Sequence, residues 1–96
     1  MSEIVEIWKY PLALMDVQEV VVPVGARFLS AVIQGEVPVV YYLVDPEEFR
    51  RQSDYFKVVG TGHQKMASVM TGWGFVATLS QIGGVLMWHI FRKEGR

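Results

Sequence analysis

Residues 75–91 read FVATLSQIGGVLMWHIF, and this stretch decides the fold. Gly83-Gly84 separates two runs rich in β-branched and aromatic residues, and adjacent glycines adopt the positive φ angles of a tight primed turn without steric cost. The reading is a hairpin that pairs Phe75–Gln81 with Val85–Arg92. Outward from it, short apolar runs alternate with turn residues along the whole chain. Further strands are expected at Glu3–Tyr10, Asp16–Val22, Arg27–Gln34, Pro38–Val44 and Tyr55–Val59. Breaks fall at Pro11, Pro23-Val24-Gly25, Gly35, Asp45-Pro46 and Gly60-Thr61-Gly62. The expected fold is all-β over residues 1–96, a single antiparallel sandwich or barrel of about seven strands. One short helical turn is expected near 46–52, where Asp45 offers an N-cap, Pro46 a first helical position and Glu47 and Glu48 acids for the first turn. Gln64–Thr71 lacks Gly and Pro and carries Met66, Val69 and Met70 at helical spacing, which fits either a second short helix or a loop.

Composition narrows the class of protein. The chain has 96 residues, 51% of them hydrophobic, nine Lys plus Arg against ten Asp plus Glu, and no cysteine. A chain of this length forms one domain, burying roughly 10,000 Å² on folding. Disulfide scaffolds, thiolate metal sites and cysteine nucleophiles are excluded, and a reducing compartment is permitted. A formal charge of −1 argues against a broad basic surface for nucleic acid. Val37–Val44 and Ile82–Phe91 are shorter than the roughly 18 apolar residues of a membrane span, and the opening residues lack a basic export region. The expectation is a soluble, intracellular protein without a membrane partner.

The faces of the expected strands carry the most information about assembly. In Val85–Phe91, both the row Val85, Met87, His89, Phe91 and the row Leu86, Trp88, Ile90 are largely apolar. Val39, Tyr41, Leu43 and Val40, Tyr42, Val44 repeat this double-sided pattern. A small two-layer domain has one interior, so a second cover is needed. Another copy of the chain is the expected cover, with the segments 46–52 and Gln64–Thr71 as the alternative.

Catalytic patterns are thin. His63 and His89 stand apart with no HxH, HExxH or cysteine partner, so no metal site is expected, and His89 reads as a core or interface residue. No serine has a nucleophile-elbow context, and Asp45, Glu47 and Glu48 sit where a helix start favours acids. The expectation is therefore no enzyme and no cofactor. The best candidate site is Gly60-Thr61-Gly62-His63 with Lys65. Two glycines flanking a hydroxyl residue allow amides to converge on a phosphate or carboxylate, and His63 and Lys65 add donors. The competing reading is a strand end in which Thr61 bonds its own backbone. Arg50, Arg51, Lys57 and Lys65 gather positive charge around that loop in sequence, although Arg50 and Arg51 also suit a solvated helical surface. Trp73, between two glycines, is the candidate stacking residue among aromatics otherwise assigned to core or interface. The ligand-binding set is thus Gly60, Thr61, Gly62, His63, Lys65, Arg50, Arg51 and Trp73.

The ordered series Ile7-Trp8-Lys9-Tyr10-Pro11, Pro23-Val24-Gly25-Ala26, Gln34-Gly35-Glu36-Val37-Pro38, Val44-Asp45-Pro46, Gly60-Thr61-Gly62-His63 and Gly84–Phe91 resembles a family of small proteins encoded mainly by bacteriophages and prophages, with no assigned function. The segment after the glycine–histidine loop runs longer than that family's usual pattern. The resemblance implies a protein made in the cytoplasm of an infected bacterium and supplies no site residue. Two functional classes follow. The first is a homo-oligomer that binds or sequesters a small anionic, nucleotide-like ligand to counter host defence, with pockets between subunits. The second is an interaction module that docks on a host or phage protein with no small ligand.

Overall fold

The computed structural model describes residues 3–95. Seven strands form two antiparallel sheets: β1 (Glu6–Pro11), β2 (Val17–Pro23), β3 (Arg27–Gln34), β4 (Val37–Val44), β5 (Arg51–Gly60), β6 (Trp73–Gln81) and β7 (Leu86–Lys93). One sheet has the order β1-β4-β3 and the other β2-β5-β7-β6. They pack as an unclosed sandwich, with β3 and β6 adjoining along one seam.

The expected hairpin is present. Gly83 and Gly84 take φ values of 60° and 91°, and the Val85 amide donates to the Ile82 carbonyl at 3.1 Å, the pattern of a type I′ turn. Gly35 and Glu36 turn β3 into β4 with φ values of 56° and 70°. The left-handed backbone at Glu36 and at Ile82 (φ 53°) is strained for residues with a Cβ, and the two tips hold each other there. Gln81 Nε2 donates to the Glu36 carbonyl at 2.7 Å, and the Ile82 amide donates to Glu36 Oε2 at 3.2 Å.

Alternation explains the core. Val40, Tyr42 and Val44 of β4 and Ala31 of β3 face Val20 and Val22 of β2, Phe56 and Val58 of β5, Leu79 of β6 and Ile90 of β7. Trp8, Tyr10 and Phe28 pack at its margin.

Two expected boundaries are corrected. The helical turn near 46–52 is a single turn, closed by the Glu48 amide on the Asp45 carbonyl at 3.1 Å and by the Glu47 amide on Asp45 Oδ1 at 2.9 Å. No helix follows because Phe49, 84% exposed, has no apolar surface to lie on, and Arg51–Asp54 pair with Val20–Pro23 instead. Strand β5 is therefore ten residues long rather than starting at Tyr55. The helix among the described residues is α1 (Ala67–Met70), inside the segment Gln64–Thr71 that fits either helix or loop.

The second faces of the two sheets are treated differently. On the outside of the four-stranded sheet, the segment between β5 and β6 lies across part of the surface. There Lys57, 4% exposed, donates through Nζ to the Val69 carbonyl and sits over the Trp73 ring at 4.8 Å. Lys65 Nζ reaches Asp16 Oδ2 at 3.0 Å and holds the segment against the start of β2. On the outside of the three-stranded sheet, Ile7 (62%), Val32 (38%) and Val37 (41%) are open to solvent around Val39, and no described segment crosses them. The chain measures 44 × 32 × 15 Å along its principal axes, and its radius of gyration of 14.3 Å exceeds the about 12.5 Å of a compact chain this long.

Core and outer face are expected to respond differently to truncation. Ile90→Ala removes a fully buried side chain and should cost about 2–5 kcal/mol, whereas Val32→Ala should stay within about 1 kcal/mol. Urea unfolding followed by tryptophan fluorescence checks both, and similar losses at the two positions would contradict this assignment of the faces.

Candidate functional site

The glycine–histidine loop closes on itself. A Cβ on Gly60 would stand 2.9–3.2 Å from the ring of exposed His63, so a larger residue there would displace the imidazole from the backbone. The His63 ring meets Trp88 edge to face at 6.5 Å. The His63 amide donates to the Gly60 carbonyl at 3.3 Å and the Thr61 amide to the Met87 carbonyl at 3.4 Å, so neither is aimed at a ligand. Thr61 Oγ1 is bonded to His89 Nε2 at 2.7 Å, and Thr78 Oγ1 to His89 Nδ1 at 3.0 Å. Because a hydroxyl both donates and accepts, the two threonines satisfy either neutral tautomer of His89. The cavity beside the loop, lined by Gly60, Thr61, His63 and Val85–Trp88, holds about 260 Å³.

The other predicted ligand residues lie elsewhere. Arg50 and Arg51 stand at the opposite end of β5 from Gly60, roughly 30 Å away at the rise of an extended strand. Arg50 binds Glu48 with two nitrogens, at 3.0 and 2.9 Å, and Arg51 Nη1 donates to the Glu48 carbonyl at 2.7 Å. The Arg50 side chain and its amide hold the Glu48 carboxyl down at about 2. Lys65 is paired with Asp16. Trp73 stacks on Lys57 and pairs with Lys93, away from the loop. Gly60, Thr61, Gly62 and His63 are thus brought together, and Arg50, Arg51, Lys65 and Trp73 do not join them.

A second constellation is built around Asp54. Its carboxylate is fully buried, with Oδ2 accepting from Tyr42 Oη at 2.5 Å and from Arg92 Nε at 2.7 Å, and Oδ1 from the Tyr55 amide at 3.1 Å. The Arg92 guanidinium lies 5.0 Å over the Phe28 ring, and its side chain remains 29% exposed. It lines a cleft of about 660 Å³ together with Phe28, Gly74–Val76 and Lys93–Gly95. Sequence reading missed this group because β5 was started at Tyr55. Counting back in twos from Phe56 puts Asp54 on the core row, where a carboxylate requires donors, and counting on from Trp88 and Ile90 puts Arg92 on the same inner face.

The geometry defines a small open β-sandwich with an arginine-lined cleft and hydroxyl-bonded histidine. Among the described residues no three His, Asp or Glu side chains are grouped to hold a metal, and no helix is long and apolar enough to cross a membrane. A family model described as Domain of unknown function (DUF7352) matches residues 4–96, and the chain belongs to that family. No curated protein and no solved structure matches it.

Two outcomes test these contacts. Tyr42→Phe should cost about 1.5–3 kcal/mol, the range for a hydrogen bond to a charged group, and urea unfolding measures it. Glu48, with its folded pKa lowered from 4.5 to about 2, should stay ionised as the pH falls toward 2, and any stability from its pair with Arg50 is lost progressively as the pH falls from about 4.5 to about 2. Carboxyl-carbon NMR should find the low midpoint, and Arg50→Ala should return it toward 4.5.

Proposed function

We propose that the protein is a non-catalytic accessory protein of the phage type that works as a homo-oligomer and binds or sequesters a small anionic, nucleotide-like ligand. Its setting, the cytoplasm of an infected bacterium where such binding counters host defence, comes from the resemblance of its motifs. The observation that carries the reading is the open apolar face of the three-stranded sheet. Ile7, Val32 and Val37 are its exposed apolar residues, Val39 between them is 5% exposed, and a polar row crosses the face, with Lys9 Nζ and Tyr41 Oη both donating to Gln34 Oε1 at 3.3 and 2.8 Å. The accessible surface of 6060 Å² exceeds the about 5,600 Å² expected of a compact monomer of 10.9 kDa. A second copy is the proposed occupant, since pairing of like faces would bury Ile7, Val32 and Val37 of both chains.

Absence of catalysis is supported by how the reactive groups are used. Thr61 and His89 are a hydroxyl and a base within hydrogen-bond reach, which is the start of a nucleophile pair. The group behind the imidazole is the neutral Thr78 hydroxyl, and the adjacent Thr61 amide, a natural oxyanion donor, is bonded to Met87.

Mass photometry or light scattering over a concentration series tests the assembly. The wild type is expected to be a dimer or larger, and Ile7→Lys with Val32→Lys should give a folded monomer. A wild type that stays monomeric at its highest soluble concentration would overturn self-association and favour docking of the same face on a different protein.

A further inference from the structure

We infer that residues 62–72, between β5 and β6, are a hinged cover that opens while both sheets stay folded and uncovers Lys57 and Trp73. Its ends are fixed. At one end the Thr61 amide donates to the Met87 carbonyl and Thr61 Oγ1 is bonded to His89; at the other the Glu94 amide donates to the Gly72 carbonyl at 2.8 Å. Gly62 stands just inside the first tie and Gly72 at the second, with φ values of 86° and 85°. Glycine holds that left-handed backbone without strain and also has the widest choice of other conformations to turn into. The cover thus has a pivot at each end.

Little apolar packing holds it down. Thr61–Val69 are all exposed, Met66 at 74% and Val69 at 44%, and Met70 is half-buried. Helix α1 is four residues long, buries none of them and has no side-chain cap, and a helix so short has no stability of its own. Local opening is easiest where buried apolar contacts are few. The hold comes from two lysines and one ring: Lys57 on the Val69 carbonyl, Lys65 on Asp16 at 3.0 Å, and the His63 ring edge-on to Trp88 at 6.5 Å.

Beneath the cover, Lys57 is 4% exposed, and among the described residues no carboxylate pairs with it. Its ammonium rests on one carbonyl and on the Trp73 ring at 4.8 Å. A buried charge loses hydration that only close partners return, and exchanging an intramolecular hydrogen bond for bonds to water changes stability modestly. The Val69 carbonyl is one of the acceptors left without an intrahelical partner at the end of α1, so water can serve it as well as Lys57 does. Both states are satisfied, and the balance between them is close. Closed, the cover presents Met66 and Val69 to solvent; open, it leaves an ammonium and an indole on the outer face of the four-stranded sheet. The device changes the chemistry of that surface with the sandwich intact.

The test is amine acetylation of the full chain under single-hit conditions, read at each lysine by mass spectrometry, with exposed Lys93 as the internal reference. Lys57 is expected to react about ten- to a thousandfold more slowly than Lys93, as for an open conformer populated at about 0.1–10%. Below the unfolding transition its rate should stay nearly flat in urea, because the opening exposes little surface. Lys65→Ala should raise the rate by about two- to fivefold, the effect of losing an exposed ion pair, and the variant's rate should be equally flat in urea. High salt should speed the wild type toward the variant and leave the variant unchanged, relative to Lys93. Lys57 reacting as fast as Lys93, a rate that climbs with urea along the global unfolding curve, or a rate that Lys65→Ala leaves unaltered would each overturn the hinged cover.

Discussion

The buried carboxylate of Asp54 is the constraint around which the sandwich is arranged. It belongs to β5 of the four-stranded sheet, yet one of its donors is Tyr42 of β4 in the three-stranded sheet and another is Arg92 of β7. A carboxylate taken out of water costs several kcal/mol unless its lone pairs are satisfied, and here Tyr42, Arg92 and the Tyr55 amide donate to it. Those donors come from fixed positions, so the network ties the relative placement of both sheets to a single side chain. A shift of β4 by one residue would turn Tyr42 outward and leave the charge short of a partner. Tyr42 also gathers the ring cluster, with Tyr10 and Phe28 edge to face at 5.6 Å each.

How much of this was legible in the sequence depends on whether a feature has a local cause. Paired glycines have one conformational use in such a setting, so the β6–β7 hairpin was readable, as was the alternation that fills the core. The turn after β4 is legible as a turn but not in its extent, because Asp45, Pro46 and the following acids suit both a helix start and a single turn; what decides between them is whether Phe49 has something to bury against, which is a tertiary fact. Asp54 was missed for the converse reason. A charge on a strand reads as solvent-facing until the partner strand is known, and Arg92 is 38 residues away.

The glycine–histidine loop shows how a ligand motif and a structural motif share a spelling. Its glycines suggested amides free to converge on an anion, but the loop faces a neighbouring strand, and the Met87 carbonyl takes the Thr61 amide. Thr61 then turns to His89 and completes a hydroxyl–imidazole–hydroxyl row with Thr78 across the outer face of the sheet. The expected local bond of Thr61 to its own backbone is replaced by one to a residue 28 positions away, which no spacing rule would reveal.

Strand β3 borders both the outer face of the three-stranded sheet and the seam between the sheets. Ser30 and Val32 lie on the outer face of the three-stranded sheet, while Phe28, two residues earlier, carries the Arg92 guanidinium at the seam between sheets. The irregularity that separates them is the bulge at Leu29, itself 41% exposed. An extra residue in an edge strand is a point of local freedom, because its ladder bonds are interrupted. A partner packed on the outer side of β3 would restrict that freedom and with it the position of the Phe28 ring. The same strand thus carries Val32 on the outer face of its sheet and Phe28 at the seam with the other.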